Sequence, residues 1–441
     1  MKTIRTTDPN ADQLLAGLRR SLGLDQGLVA DWQKDLAEGP SPLESVRKVL
    51  DAVRSRGDDA VAEYTRAFDR VTLRPEEFRV ARSDIDQAVR DLSPECRQAI
   101  ERAVENIRRY QTATLAPDPK EISADGRRLA MTYRPLRRVG LYVPGGATAY
   151  PSSVLMAAVP AQVAGVPEIV VVSPPAERGQ IRRPILAACG LAGITEVYRI
   201  GGVQAVAALA YGTPTIPPVD KIVGPGNQFV QLAKKEVQGV VDIDMFAGPS
   251  EVLVIADRSA DPRLVAADLL SQAEHNPGCA ILVTDDPSLL ARAEAELDRQ
   301  LRDLALGEMV RAALERFSAL VLVRDIDEAC RVANYLAPEH LQILTARPRD
   351  LLPKIQSAGA VFLGPWTPVA VGDYIAGPSH TLPTGGTARF ASGLSANDFR
   401  RRMSVIEYSR QALEADAPMI EALADLENLE AHARSVRARL D

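Results

Sequence analysis

Histidine is scarce in this chain of 441 residues, with four in all: His275, His340, His380 and His432. Cysteine is equally sparse. Cys96, Cys189, Cys279 and Cys330 lie far apart and form no CxxC pair, which argues against a disulfide framework or a thiolate zinc site and for free, mostly buried thiols. The first residues, MKTIRTTDPNADQ, lack the apolar core of a signal peptide, and no run approaches the roughly 20 apolar residues of a membrane span. A cytoplasmic protein is expected. A surplus of positive charge is missing too: 52 Lys and Arg stand against 58 Asp and Glu, a net charge of −6, which disfavours nucleic acid as the main partner. The phosphate-binding fingerprints GxGxxG and GxxxxGKS/T are also absent, so any nucleotide site departs from them.

The composition that remains is that of a soluble globular protein, 46% apolar and 25% charged. The length exceeds what one hydrophobic core fills, so two major domains with attached helical pieces are expected. Residues 1–136 read as a helical region packing on the second α/β domain. Leu14 to Leu22, Pro42 to Arg56, Asp59 to Phe68 and Ile85 to Tyr110 carry three-and-four apolar spacing, with Ser41-Pro42 and Ser93-Pro94 as helix starts.

From Arg137 short β-branched runs alternate with Ala-rich helices, first over 137–249 and again over 250–394. Such alternation implies two doubly wound, Rossmann-like parallel-sheet domains facing a cleft, an α/β fold with helical extensions at both ends. Strands are expected at Val139–Val143, Ile169–Val172, Glu196–Ile200 and Lys221–Val223, then at Val252–Ala256, Ala280–Thr284, Ala319–Val323, Leu341–Leu344 and Ala360–Leu363. The remainder, 395–441, reads as a helical tail. Ligands of such sheets lie beyond the carboxyl ends of the strands. Three glycine-bearing loops fall there in the first domain: Pro144-Gly145-Gly146, Gly201-Gly202-Val203-Gln204 and Gly224-Pro225-Gly226-Asn227. Each is a structural turn or a place where backbone can approach a phosphate, and three together raise a nucleotide site to about even odds.

In the second domain, Gln272 and His275 share one face at the end of a helix that Pro277 and Gly278 stop. They can hold a metal or ligand, or His275 can simply complement the helix dipole. Glu339 and His340 stand where a helix gives way to a strand, offering two general bases, although adjacent side chains there do not share one direction. Asp373 and His380 lie in a loop with Gly372, Gly377, Pro378, Pro383, Gly385 and Gly386, the composition of a fixed irregular loop. As a turn former Asp373 is unremarkable; with Gln272 and His275 it completes an N/O set that suits zinc with one position open. Glu427 and His432 project roughly 140° apart on a continuous helix and do not share a target.

Together the segments GLYVPGG, GPGN, AGPSEVLV, LLSQAEH, APEHL, GDYIAGPSHTLPT and the terminal AH resemble the histidinol dehydrogenase family, from about residue 40 to the C-terminus. The resemblance implies zinc on Gln272, His275, Asp373 and His432, the last from the other subunit of a homodimer with shared active sites, reached by the C-terminal tail. It implies NAD on Tyr142, Gln204 and Asn227, and L-histidinol on Ser250, His380 and Glu427 beside His340 and the zinc ligands. His340 then acts as base in two successive oxidations to L-histidine, and Glu339 activates the water that hydrates the intermediate aldehyde. Tyr110-Gln111 and Ser379 depart from common family choices without touching a ligand. Another polar-alcohol dehydrogenase of this fold, a zinc hydrolase using Glu339 and water, and a non-enzymatic nucleotide-binding oligomer are the competing readings.

Overall fold

The computed structural model describes residues 1–22, 41–145, 149–176, 179–275 and 278–441; Gly146 and Pro277, singled out above, lie outside the described residues. Among those described, strands numbered in chain order form three sheets. The first is parallel, in the order β6 (Glu196–Tyr198), β5 (Glu168–Val172), β4 (Arg138–Tyr142), β7 (Lys221–Val223), β8 (Asp242–Ile243). The second, also parallel, runs β1 (Lys2–Arg5), β11 (Ala319–Leu322), β10 (Gly278–Thr284), β9 (Ser250–Ala256), β12 (His340–Leu344), β13 (Ala360–Leu363). Both sheets are covered on both faces, which is why their strands read as unbroken apolar runs. In β5, Val171 packs into one helical layer while Val170 and Val172 pack into the other.

The helices Pro151–Val163 and Gly202–Tyr211, which lie on the first sheet, are buried nearly all round, whereas the helix Pro42–Arg56 outside them is amphipathic. The helix Pro42–Arg56 starts with a capping box, Ser41 accepting from the Glu44 N–H and the Glu44 carboxylate accepting from the Ser41 N–H. It buries Val46, Val49, Leu50 and Val53 in an apolar cluster shared with the helix Gly202–Tyr211 that covers the first sheet, each contributing about 1.5–3 kcal/mol. The Ser93-Pro94 start is present as well, with Ser93 capping the Cys96 N–H.

Three expectations need correction. First, the N-terminal region is divided between the two parallel sheets: β1 and the helix Ala11–Leu22 belong to the second, whereas Val46, Ile85 and Ile107 from the helices that follow pack on the first. Second, neither extension is wholly helical. β14 (Arg400–Tyr408) pairs antiparallel with β3 (Arg127–Pro135), which pairs with β2 (Ile122–Ala124). Most positions of this ribbon are exposed or half-buried, so no inward apolar stripe marks it in the sequence. Third, Glu427 and His432 do not share a helix. The helix Arg410–Leu426 ends at Glu427, Asn428 turns left-handed at φ 57°, and a new helix runs Glu430–Leu440. Arg437 closes that hairpin on Glu421 at 2.7 Å.

Candidate active site

Several elements meet at the amino edge of the second sheet. The helix Pro262–Ala273 ends there just before β10, and the helix Ile326–Leu336 ends there just before β12. Asp261 and Pro262 start the first of these helices, the Asp261 carboxylate accepting from the Arg263 N–H. At its far end the chain doubles back so closely that a Cβ on Gly278 would meet the Gln272 carbonyl oxygen at 2.0 Å. Two helix C-termini aimed at one edge give it a negative potential that favours a cation. The candidate side chains therefore gather at the edge of the second sheet opposite to the one the carboxyl-end rule points to.

Glu339 and His340 are buried, at 6% and 4% exposure. Contrary to the expectation from adjacency, their side chains converge: Glu339 Oε2 lies 3.6 Å from His340 Nδ1. Glu339 ends the connection before β12 and is turned back by the left-handed Ala337 at φ 51°. Its Oε2 accepts from the Ser250 hydroxyl at 2.6 Å and from the Glu251 N–H at 3.0 Å. Burial nonetheless raises the Glu339 carboxyl to about 7, against those two hydrogen bonds and the charge of His275.

His340 Nδ1 sits 3.0 Å from the Glu251 carbonyl oxygen. A carbonyl only accepts, so this bond assigns the proton to Nδ1 and leaves Nε2 a free base. Nε2 faces Asp373 Oδ1 at 3.9 Å, and Phe362 packs tilted against the ring with centroids 5.8 Å apart. Burial lowers the His340 pKa, outweighing Asp373 and the Glu251 carbonyl. Burial likewise raises Asp373, with His340 pulling down and Glu339 pushing up.

The Asp373–Gly386 segment straps this edge to the first sheet's helices. His380 Nδ1 donates to the Asp373 carbonyl at 3.1 Å, and its Nε2 lies 3.5 Å from the Ser153 hydroxyl on the helix Pro151–Val163. Burial pushes the imidazole down to about 4, so it is neutral at physiological pH. Ser379 donates to the Met156 carbonyl at 2.9 Å and accepts from the Thr381 N–H at 3.2 Å. The departure at Ser379 therefore fixes the loop on which His380 sits. The other departure, Gln111, is buried and accepts from the Ala396 N–H at 2.9 Å.

Gln272 is 1% exposed, and its Nε2 has no partner among the described residues. The two ends of an amide are nearly alike in shape, so a turned Gln272 would offer an oxygen at the orphaned position, as a metal ligand requires. His275 remains open to solvent; partial burial lowers its pKa, with Glu339 pulling it up and His340 pushing it down. His275, Glu339, His340, Asp373 and His380 therefore act on one another's charge at one place. Among the described residues of one chain, no three His, Cys, Asp or Glu side chains converge as a metal cluster. The expected zinc set draws only His275 and Asp373 of those types from one chain, beside the Gln272 amide. Glu427 and His432 are exposed at the turn between the C-terminal helices, and no hydrogen bond or ion pair ties their side chains to this edge among the described residues.

The glycine loops of the first sheet border a cavity of about 840 Å³ lined by Phe68, Asp69, Tyr142, Gly202 and Asn227, among others. The Tyr142 hydroxyl accepts from the Gly202 N–H at 3.1 Å. Asn227 Oδ1 caps the helix Gln228–Val237 by accepting from Phe229 and Val230. Gln204 is wholly buried; its Nε2 donates to Asp69 at 3.3 Å and its Oε1 has no partner among the described residues. Gly224 has φ 117°, and a Cβ there would meet the Tyr142 carbonyl oxygen at 2.1 Å.

Sequence reasoning passed over Glu251, Ser153 and Asp69. Only Glu251 left a signal, a carboxyl inside the apolar run of β9; Ser153 and Asp69 reach the site through contacts distant in sequence.

The histidinol dehydrogenase family model matches residues 34–440. A histidinol dehydrogenase of Rhodopirellula baltica is 50% identical over 449 aligned positions, covering 100% of this chain and 98% of the relative. One of Heliobacterium mobile is 51% identical, covering 93% and 96%. The crystal structure of histidinol dehydrogenase from Elizabethkingia anophelis superposes with a TM-score of 0.91 at 36% identity, covering 100% of this chain and 98% of that one. A match to the family model over nearly the whole length, with relatives this similar along both chains, places the protein in the histidinol dehydrogenase family.

Proposed function

We propose that this chain is a zinc-dependent, NAD-dependent histidinol dehydrogenase that oxidises L-histidinol to L-histidine through the aldehyde, using two NAD in succession as the last steps of histidine biosynthesis. We read it as a cytoplasmic homodimer with sites shared between subunits. One observation carries the reading: a buried carboxyl and a neutral imidazole with a free Nε2 converge beside Asp373, next to a helix end that presents an orphaned amide. The cavity of about 840 Å³ bordered by Tyr142, Gly202 and Asn227 supports an NAD-linked oxidation over a zinc hydrolase.

Gln272, His275 and Asp373 would hold zinc with His432 from a second copy, Ser250, His380 and Glu427 would complete the seat of L-histidinol, and Tyr142, Gln204 and Asn227 would border NAD. Bound zinc would anchor the substrate's nitrogens so that its reacting carbon lies against the NAD that takes up hydride. His340 Nε2 takes the alcohol proton in the first oxidation. Glu339, held by Ser250 and the Glu251 N–H, removes a proton from water as the aldehyde is hydrated, and His340 takes the second hydroxyl proton. General bases of this kind contribute about 10²–10⁴-fold each.

The test is to mix the purified protein with L-histidinol and NAD and follow NADH absorbance, with metal analysis of the same preparation. Two NADH per L-histidinol and one zinc per subunit are expected. Absence of NADH formation with zinc bound would sink the reading.

A further inference from the structure

Glu251, the second residue of β9, is 1% exposed and lies beneath the Glu339–His340 pair. Three of its groups engage that pair. Its N–H donates to Glu339 Oε2 at 3.0 Å, its carbonyl accepts from His340 Nδ1 at 3.0 Å, and its Oε1 accepts from the Glu339 N–H at 3.2 Å. Main-chain groups of any residue would supply the first two bonds. The third comes from the side chain alone. On the opposite side, the Glu339 carbonyl accepts from the Ala360 N–H at 2.9 Å. The Glu339 peptide is thus gripped between the Glu251 carboxyl and β13.

A carboxyl is an expensive way to make that bond. Its removal from water is unfavourable, its Oε2 has no partner in hydrogen-bond geometry among the described residues, and Glu339 adds a second buried carboxyl alongside. Burial first and the Glu339 charge second push Glu251 up to about 8, against the amides of Gly386, Glu339 and Gly385. An aliphatic side chain would escape these penalties in a strand whose next five residues, Val252 to Ala256, are all buried and apolar. Stability alone therefore does not account for a carboxyl here.

We propose that the Glu251 side chain is a positioning residue for the Glu339–His340 pair, fixing the Glu339 main chain so that carboxyl and imidazole keep their places against Ser250 and Asp373. The proposal rests on the histidinol dehydrogenase reading above. It assigns Glu251 no contact with substrate; it acts through its neighbours.

The experiment compares Glu251→Met, which keeps length and loses the acceptor, with Glu251→Gln, which keeps both. For Glu251→Met, a displaced general base should lower kcat about 10–100-fold, with KM within about threefold of wild type and zinc content and Tm retained. Its NADH yield per L-histidinol should fall from two toward one, because misplaced Glu339 leaves the aldehyde unhydrated. Glu251→Gln should recover kcat to within about fivefold of wild type, since its amide oxygen accepts the same N–H. Wild-type kcat in Glu251→Met, equal losses in both variants, or a loss confined to KM or zinc content would each overturn the proposal. If Glu251→Met does not fold, Glu251→Leu replaces it; if neither folds, the carboxyl supports the sheet and the proposal falls. A wild-type protein that does not oxidise L-histidinol would instead defeat the underlying function, before any variant is made.

Discussion

Lys234 Nζ meets Asp244 Oδ1 at 2.5 Å with both side chains 1% exposed, and between them they hold both main-chain groups of Gly224. The ammonium donates to the Gly224 carbonyl at 2.9 Å, and Asp244 Oδ2 accepts the Gly224 N–H at 2.7 Å. The ion pair therefore moulds the loop that carries Asn227 into the cavity of the first sheet. Removing one partner leaves a buried charge uncompensated, so Lys234→Met should destabilise the fold by about 3–5 kcal/mol. Lys234→Met/Asp244→Asn should recover part of that loss. Urea unfolding of the three proteins checks both, and a single variant as stable as wild type would deny the pair its role.

On the proposed reading, the free Nε2 of His340 takes the alcohol proton. His340→Gln should lower kcat for L-histidinol oxidation by about 10²–10⁴-fold while leaving zinc content and Tm close to wild type. Steady-state kinetics with metal analysis on one preparation decides it. Undiminished turnover would remove His340 as the base.

The Glu339 carboxyl, raised by burial to about 7, sets the sign of two pH effects. As a base it works when ionised, so aldehyde hydration should accelerate as pH rises through about 7, and Glu339→Gln should stall after one NADH. Its folded pKa lies above the ordinary carboxyl value, so between about 4.5 and 7 the folded state holds the proton more tightly than the unfolded chain. The stability this contributes is complete below pH 4.5 and is lost toward pH 7, by at most about 1.4 kcal/mol per pH unit for one group. Wild type should therefore lose more stability than Glu339→Gln between pH 5 and 7 in parallel urea titrations. A steeper loss in the variant would contradict the shift.

Much of the scaffold was legible because parallel strands buried on both faces leave apolar runs such as those of β5 and β9. The β3–β14 ribbon was not, since Arg400, Arg401 and Arg402 open a strand that faces mostly solvent. At the site, scarcity picked out the histidines; helical spacing pointed to Gln272 and His275, although the helix closes at Ala273 and leaves His275 in the turn beyond it. The convergence of Glu339 with His340 was hidden, because it depends on the left-handed Ala337 and on Ser250 and Glu251 arriving from a strand about ninety residues earlier. Periodicity carries no information about such meetings. Nor could it show that these side chains gather at the amino edge of this sheet.

Glu427 and His432 supply the most decisive test of a shared site. Both are exposed at the turn joining the helices Arg410–Leu426 and Glu430–Leu440. The adjoining helix leaves Met419, Leu423 and Leu426 at 65%, 62% and 80% exposure, an apolar set that water alone covers poorly. If a second copy lies there and His432 completes its partner's site, His340→Ala and His432→Ala homodimers should each be inactive for different reasons. In a two-fold mixed dimer one site carries both lesions and the other carries neither, so equal mixing with free exchange should restore about a quarter of wild-type activity. Restoration requires that His340 and His432 of one site come from different chains, since lesions belonging to the same chain's site would leave every site damaged. Differently tagged subunits, purified as verified mixed dimers and assayed with L-histidinol and NAD, give the answer; inactivity there would mean that each chain builds its site alone.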